Sequence, residues 1–145
     1  MKPLFILLTV LSSFFASSSY AADPISSQAI KSFQQTFINA ENAVWTASEN
    51  LYKVQFSLNG QEMTAFYNMQ GAFAGVTRNI ISTQLPMMLQ VEVKKEYSEY
   101  WITGLFELSN NNGTEYYLTL ENADSKIVLK SSGHTSWFTY QKSRK

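Results

Sequence analysis

What most limits the fold of this chain is a switch of hydrophobic period that happens twice. From Ser26 the apolar residues Ile30, Phe33 and Phe37 recur at helical spacing, with Ala29 and Ala40 alongside, which predicts an amphipathic helix over about 27–39. Beyond Asn42 the period drops to two, and strand-like runs at 43–48, 51–58, 61–67 and 72–79 are separated by Glu49-Asn50, Asn59-Gly60 and Gln70-Gly71. Turns this short connect antiparallel strands only, because a parallel crossover needs a dozen or more residues. Asn59-Gly60 is the sharpest of them, since both residues accept the positive φ of a two-residue hairpin turn.

The pattern then restarts. Leu85, Leu89, Val93 and Tyr97 recur every four residues, predicting a second helix from near Thr83 with Pro86 tolerated in its first turn. Strand runs follow at 100–108, 115–120, 126–131 and 135–141, broken at 110–113, 122–124 and Ser132-Gly133, and residues 143–145 read as a frayed basic end. One helix and four strands, twice over, predict an α+β fold: a tandem αββββ arrangement with one antiparallel sheet and both helices packed on one face. No Pro- or Gly-rich linker divides the halves, which span about 26–80 and 82–142.

Ahead of this domain, residues 1–21 read as a cleavable secretory signal peptide. Lys2 is the only charge before Asp23, an apolar run covers 4–11, and small Ser19 and Ala21 precede the cut. A membrane-spanning helix needs about 20 mainly apolar residues, and the serines at 12, 13 and 17–19 interrupt this run too early. The chain has no cysteine, which excludes a bacterial lipoprotein anchor and disulfide staples alike. The expectation is therefore a periplasmic or extracellular product, residues 22–145, folding as one domain. Without Lys2 it carries ten Lys or Arg against eleven Asp or Glu, a balance that argues against nucleic acid or an anionic membrane as partner.

No constellation in the chain points to catalysis, a cofactor or a metal. His134 is the only histidine, sits in a predicted turn, and has no cysteine or second histidine to share a metal or serve a nucleophile. Glu41, Glu62, Glu107, Glu115 and Glu121 fall among lysines or at strand positions facing water, and read as surface charge. Gly71-Ala-Phe-Ala-Gly75 lacks the Lys-Ser/Thr of a phosphate loop, so Gly71 is read as a turn residue needing positive φ. Asn112-Gly113-Thr114 is read as a hairpin loop and Arg78 as one half of a helix-entry salt bridge.

The aromatic residues carry more. With eight Tyr, three Trp and ten Phe, the chain has more rings than so small a core hides easily. Neighbours on a strand point to opposite faces, so Trp101 with Thr103 and Leu105 opposes Tyr100, Ile102 and Phe106, and Tyr117 opposes Tyr116. If both helices cover one face, the other presents Trp101, Tyr117, one member of the Phe66/Tyr67 pair and one of Trp137 and Phe138. The assignment taken is Phe66, Trp101, Tyr117 and Trp137, a possible partner-binding face, since such rings supply hot spots at protein interfaces.

A wider set of residues resembles the exported bacterial PepSY-like proteins, also described as β-lactamase-inhibitor-like (BLIP-like). It runs through Phe33, Phe37 and Ala40, Val44-Trp45, Tyr52-Lys-Val54-Gln-Phe56, Ala65-Phe-Tyr67-Asn, Gly71, Thr77-Arg78, Leu85-Pro86, Tyr97, Tyr100-Trp-Ile102, Glu107 and Gly113-Thr-Glu-Tyr116-Tyr117. Asn68 stands where that family usually carries Asp, which removes a charge from the turn. The resemblance implies the tandem αββββ fold and a curved sheet that grips a protein with its aromatic face. The expected role is a non-enzymatic protein-binding or inhibitor-like module whose partner is another envelope or secreted protein. The alternative is a carrier or sensor of a small apolar ligand held between helices and sheet near Met87, Met88 and Leu89.

Overall fold

A computed structural model describes residues 24–145, so the signal peptide read at 1–21 lies outside the described residues. The order of elements is α1 (Ser27–Thr36), β1 (Glu41–Ala47), β2 (Leu51–Leu58), β3 (Gln61–Asn68), β4 (Phe73–Asn79), a 3-10 turn (Ser82–Gln84), α2 (Met87–Glu96), β5 (Trp101–Asn110), β6 (Gly113–Glu121), β7 (Ser125–Ser132) and β8 (Ser136–Arg144). The strands form a single eight-stranded antiparallel sheet in which each pairs with its sequence neighbours, β1 to β8. The short turns dictate this meander. Asn59 and Gly60 take φ of +52° and +78°, as a two-residue hairpin requires.

Two apolar clusters hold the sheet to its helices. Ala29 and Phe33 of α1 pack on Tyr52, Val54, Phe56, Ala65 and Tyr67. Leu89 of α2 packs with Leu105, Leu118, Leu120, Ile127, Leu129 and Trp137. Burying each large side chain contributes roughly 1.5–3 kcal/mol. Both clusters lie on the same face. Val76, which packs on the first, is in register with Ser109, and Ser109 with Thr114, two residues before Tyr116 of the second.

Three local expectations change. Helix α1 ends at Thr36 and not near 39: the Thr36 hydroxyl donates back to the Ser32 carbonyl (2.9 Å), Phe37 leaves helical geometry, and Asn39 turns to φ +68°. Helix α2 begins at Met87, with Pro86 at the N-cap rather than inside the first turn. Proline's ring disfavours helical backbone in the residue before it, and Leu85 is accordingly extended (ψ 150°) while its side chain still reaches the core. The basic C-terminus is not frayed. Strand β8 runs to Arg144, and Lys145 donates through Nζ to Glu121 Oε2 (2.7 Å) and the Asn122 carbonyl (3.1 Å).

Candidate binding face of the sheet

The face turned away from the helices is uncovered among the described residues, and strand register decides what it presents. One row crosses four strands as Phe106, Tyr117, Lys130 and Phe138. Phe106 and Tyr117 stack with centroids 5.0 Å apart at 7°, and Tyr140 meets Tyr117 edge-on at 5.7 Å and 88°. Such pairs add about 0.5–1.5 kcal/mol beyond the area they bury. Lys130 Nζ lies 5.5 Å from the Tyr117 centroid and 2.9 Å from Glu115 Oε2. The bond to Glu115, then that to Tyr117, raises the Lys130 pKa, so the ammonium stays charged.

Trp101 stands on this face in register with Glu121 and is 67% exposed. Phe66 is half-buried on β3, in register with Lys53 and Gly75. Gly75 leaves room for Leu108, whose Cδ1 would lie 3.1 Å from a Cβ at that position. Phe66, Trp101 and Tyr117 thus share one face. Trp137 does not. It is 8% exposed on the opposite face, where its Nε1 donates to the Leu89 carbonyl (3.1 Å) and its backbone N–H to Glu92 Oε2 (3.2 Å), and Phe138 is the member of that pair on the open face. The indole is there because the Leu89 carbonyl in the first turn of α2 lies above β8, and a buried Trp N–H needs such an acceptor.

Simple alternation also misplaces β5. The pairing with β6 slips between Ile102 and Gly104, adding Thr103 as an extra residue. Leu105 therefore enters the core, and Phe106 joins Trp101 on the open face. A second slip in β8 adds Tyr140 beside Gln141. Phe106 is the aromatic residue that strict alternation misplaces, whereas Tyr140, two residues after Phe138, was missed because Trp137 was set on the open face in place of Phe138. Gly104, an isolated glycine in a strand run, was the available signal for the first slip; nothing local announces the second.

Several charged residues resolve into pairs. Arg78 binds Glu107 in bidentate fashion, Nε to Oε1 at 2.9 Å and Nη2 to Oε2 at 3.2 Å, across β4 and β5 on the helix-bearing face rather than at a helix entry. Glu121 accepts from Lys145 and from Thr103 Oγ1 (3.0 Å), with Lys126 at 3.8 Å, and the Lys145 and Thr103 bonds hold its pKa below the ordinary value. His134 is exposed in the β7–β8 turn. Among the described residues no three His, Cys, Asp or Glu side chains come together as a metal site, and no helix is long and apolar enough to cross a membrane. Asn68 Oδ1 accepts from the Gln70 and Ala72 amides (3.0 and 2.9 Å), so the turn is closed without a charge. Met87 and Met88 are 77% and 54% exposed while Leu89 is buried, and Met88 with Val91, Glu92, Tyr97 and Thr135 lines an open cavity of about 520 Å³ between α2 and the β7–β8 turn.

No protein-family model and no curated protein sequence matches the chain. Solved structures do. A BLIP-like protein of Bacteroides fragilis superposes with a TM-score of 0.72 at 16% identity, covering 83% of this chain and 86% of that one. A DUF2874 family protein of Bacteroides ovatus gives 0.72 at 13% identity, with 84% and 89% covered. A protein of Bacteroides eggerthii whose name places it provisionally in the periplasm gives 0.71 at 8%, with 83% and 89% covered. At such identities the likeness is one of architecture, and the chain has the eight-stranded, two-helix fold of the BLIP-like and DUF2874 proteins.

Proposed function

We propose that this chain is a non-enzymatic, exported binding module whose helix-free sheet face holds another envelope or secreted protein. The observation that carries this reading is the uncovered row of Phe106, Tyr117 and Phe138, flanked by Tyr140 and Trp101. Rigid aromatic rings bury large area at low entropic cost, and hydrogen-bonded sheet beneath them keeps them in place. At the β5–β8 end of this face Lys130 is paired with Glu115, and Lys126 and Lys145 with Glu121, which favours a structural role for these groups over acid–base work. The periplasmic address rests on the leader at 1–21 and on the naming of one structural neighbour. We read the two halves as repeats of one PepSY-like αββββ unit, a reading supported by a separate core in each.

The test is capture of envelope proteins on the immobilised protein, followed by titration of the isolated partner. Trp101→Ala combined with Tyr117→Ala removes two candidate anchors, each worth about 2 kcal/mol where such a ring is a hot spot. The expected result is a loss of about 700-fold in affinity if the two add, by the usual conversion of about 1.4 kcal/mol per decade. A control pair, Met87→Ala with Met88→Ala on the exposed side of α2, should bind normally. Equal affinity of the folded Trp101/Tyr117 variant and the parent would remove the proposed face.

A further inference from the structure

We infer that the protein carries a second site, between α2 and the β7–β8 turn, for a small amphipathic primary amine. The cavity there has a volume of about 520 Å³, within the range of roughly 300–1,000 Å³ usual for small-molecule sites. One flank of α2 forms its wall, since Met88, Glu92 and Glu96 recur every four residues, as do Val91 and Lys95. Thr135 contributes from the turn, and Tyr97, the C-cap residue of α2, from the end of the helix. The helix packs on the side of the sheet away from the aromatic row, so this site stands apart from the protein-binding face.

Part of the lining is apolar. Leu89 turns into the core, whereas Met88 and Val91 remain 54% and 51% exposed. Methionine is unbranched and adapts its shape to what it covers. Tyr97 is half-buried against the second core and meets Tyr100 edge-on at 6.1 Å and 69°, so its ring is held in place. These three side chains suit the alkyl chain or aromatic ring of a small ligand.

The polar groups select the charge of that ligand. Glu92 and Glu96 share the lining with one ammonium, Lys95, so it is net negative. Lys95 lies 3.4 Å from Glu96 with its side chain 77% exposed, a solvent-screened pair of little strength. Glu92 forms no ion pair among the described residues. Its Oε2 accepts the Trp137 N–H at 3.2 Å, which fixes the carboxylate without neutralising it. Burial, and then the charges of Glu92 and Glu96, raise the Tyr97 pKa, so both carboxylates act at this phenol. A cation entering the cavity relieves the repulsion between carboxylates four residues apart and gains the Tyr97 ring. An anion meets net repulsion, and an uncharged ligand desolvates Glu92 without giving it a partner. A primary ammonium has three N–H donors, for which the carboxylates and the Thr135 hydroxyl are acceptors. A quaternary ammonium wants a cage of several rings, and Tyr97 is the one ring of this lining.

The test is an amide NMR titration of the protein with 2-phenylethylamine and hexylamine, against 2-phenylethanol and phenylacetate as uncharged and anionic counterparts. At least one amine should give saturable shifts at Glu92, Tyr97 and Thr135, with the alcohol bound about tenfold more weakly and the acid not saturating. Glu92→Gln removes the charge but keeps an acceptor for the Trp137 N–H, and should weaken amine binding about tenfold. Glu96→Gln, at a side chain 54% exposed, should weaken it about threefold. Glu49→Gln, an equal change of net charge in the exposed β1–β2 turn, should bind as the parent does. The inference is overturned if neither amine saturates, or if the alcohol or the acid binds as tightly as the amine. It is overturned equally if the folded Glu92 and Glu96 variants bind as the parent does, or if Glu49→Gln weakens binding as much as they do.

Discussion

At the scale of single residues, Tyr67 is the least comfortable group in the fold. It is fully buried, its ring packs against Trp45 at 5.7 Å and Phe73 at 5.8 Å, and its hydroxyl has no hydrogen-bond partner among the described residues. Burial disfavours the phenolate and pushes the Tyr67 pKa up to about 12. Above pH 10 the unfolded chain loses this proton while the folded chain keeps it. Stability is therefore fully present below pH 10 and falls between pH 10 and about 12, by at most about 1.4 kcal/mol per pH unit. Tyr67→Phe keeps the ring contacts and removes the orphan hydroxyl, so it should be neutral or stabilising by up to about 1 kcal/mol at pH 7. It should also lose less stability than the parent on going from pH 9 to pH 11. Burial raises the Tyr97 and Tyr116 phenols too, so part of the alkaline loss remains. Urea titrations of both proteins at the three pH values check the sign, and a variant less stable than the parent at pH 7 would show that the hydroxyl has a partner. The sequence places Tyr67 in a strand beside Phe66, but nothing in it says which of the two is buried; the register with Tyr52 does.

At the scale of elements, the approach of α1 to the β3–β4 turn depends on one glycine. Gly71 has φ +83°, and a Cβ there would sit 2.7 Å from the Ala29 backbone nitrogen and 2.7 Å from Gln28 Cβ. Gly60 has nearly the same φ, +78°, with nothing within 4 Å. The two positions separate conformational strain from contact. Gly60→Ala should lose about 1 kcal/mol, the penalty of a left-handed alanine, and Gly71→Ala about 3 kcal/mol, because the first turn of α1 must also move. Equal losses in denaturant titrations would mean that the turn yields without disturbing the helix. The need for positive φ at Gly71 was legible in the sequence; the helix pressed against it was not, since that contact joins elements more than 40 residues apart. Strand order and type were legible as well, through period and turn length. The bulges in β5 and β8 were hidden because an extra residue leaves the local pattern almost unchanged while reversing every side chain after it.

For the whole molecule the question is whether two helices on two cores make one folding unit or two. The cores meet along β4 and β5, where the Arg78–Glu107 pair joins the strands and Gln61 adds a 3.2 Å contact to Arg78. A continuous ladder through this seam makes opening one half expose the edge of the other, so unfolding should be a single cooperative transition. Trp45 reports the first core and Trp137 the second. Two variants that retain only one of these indoles should each show coincident fluorescence and far-ultraviolet circular dichroism midpoints. A fluorescence midpoint displaced from the circular dichroism midpoint would mean that the halves unfold separately.

The order of helix and strand, the antiparallel meander and the grouping of helices on one face follow from local pattern, because period and turn length act over a few residues. The membership of each face did not follow from it. Trp137 was expected outside and lies under α2, while Phe106 and Tyr140 were overlooked and lie on the open face. Faces are assigned by pairing across strands and by where a buried N–H finds its acceptor, and both are decided by segments far away in the chain.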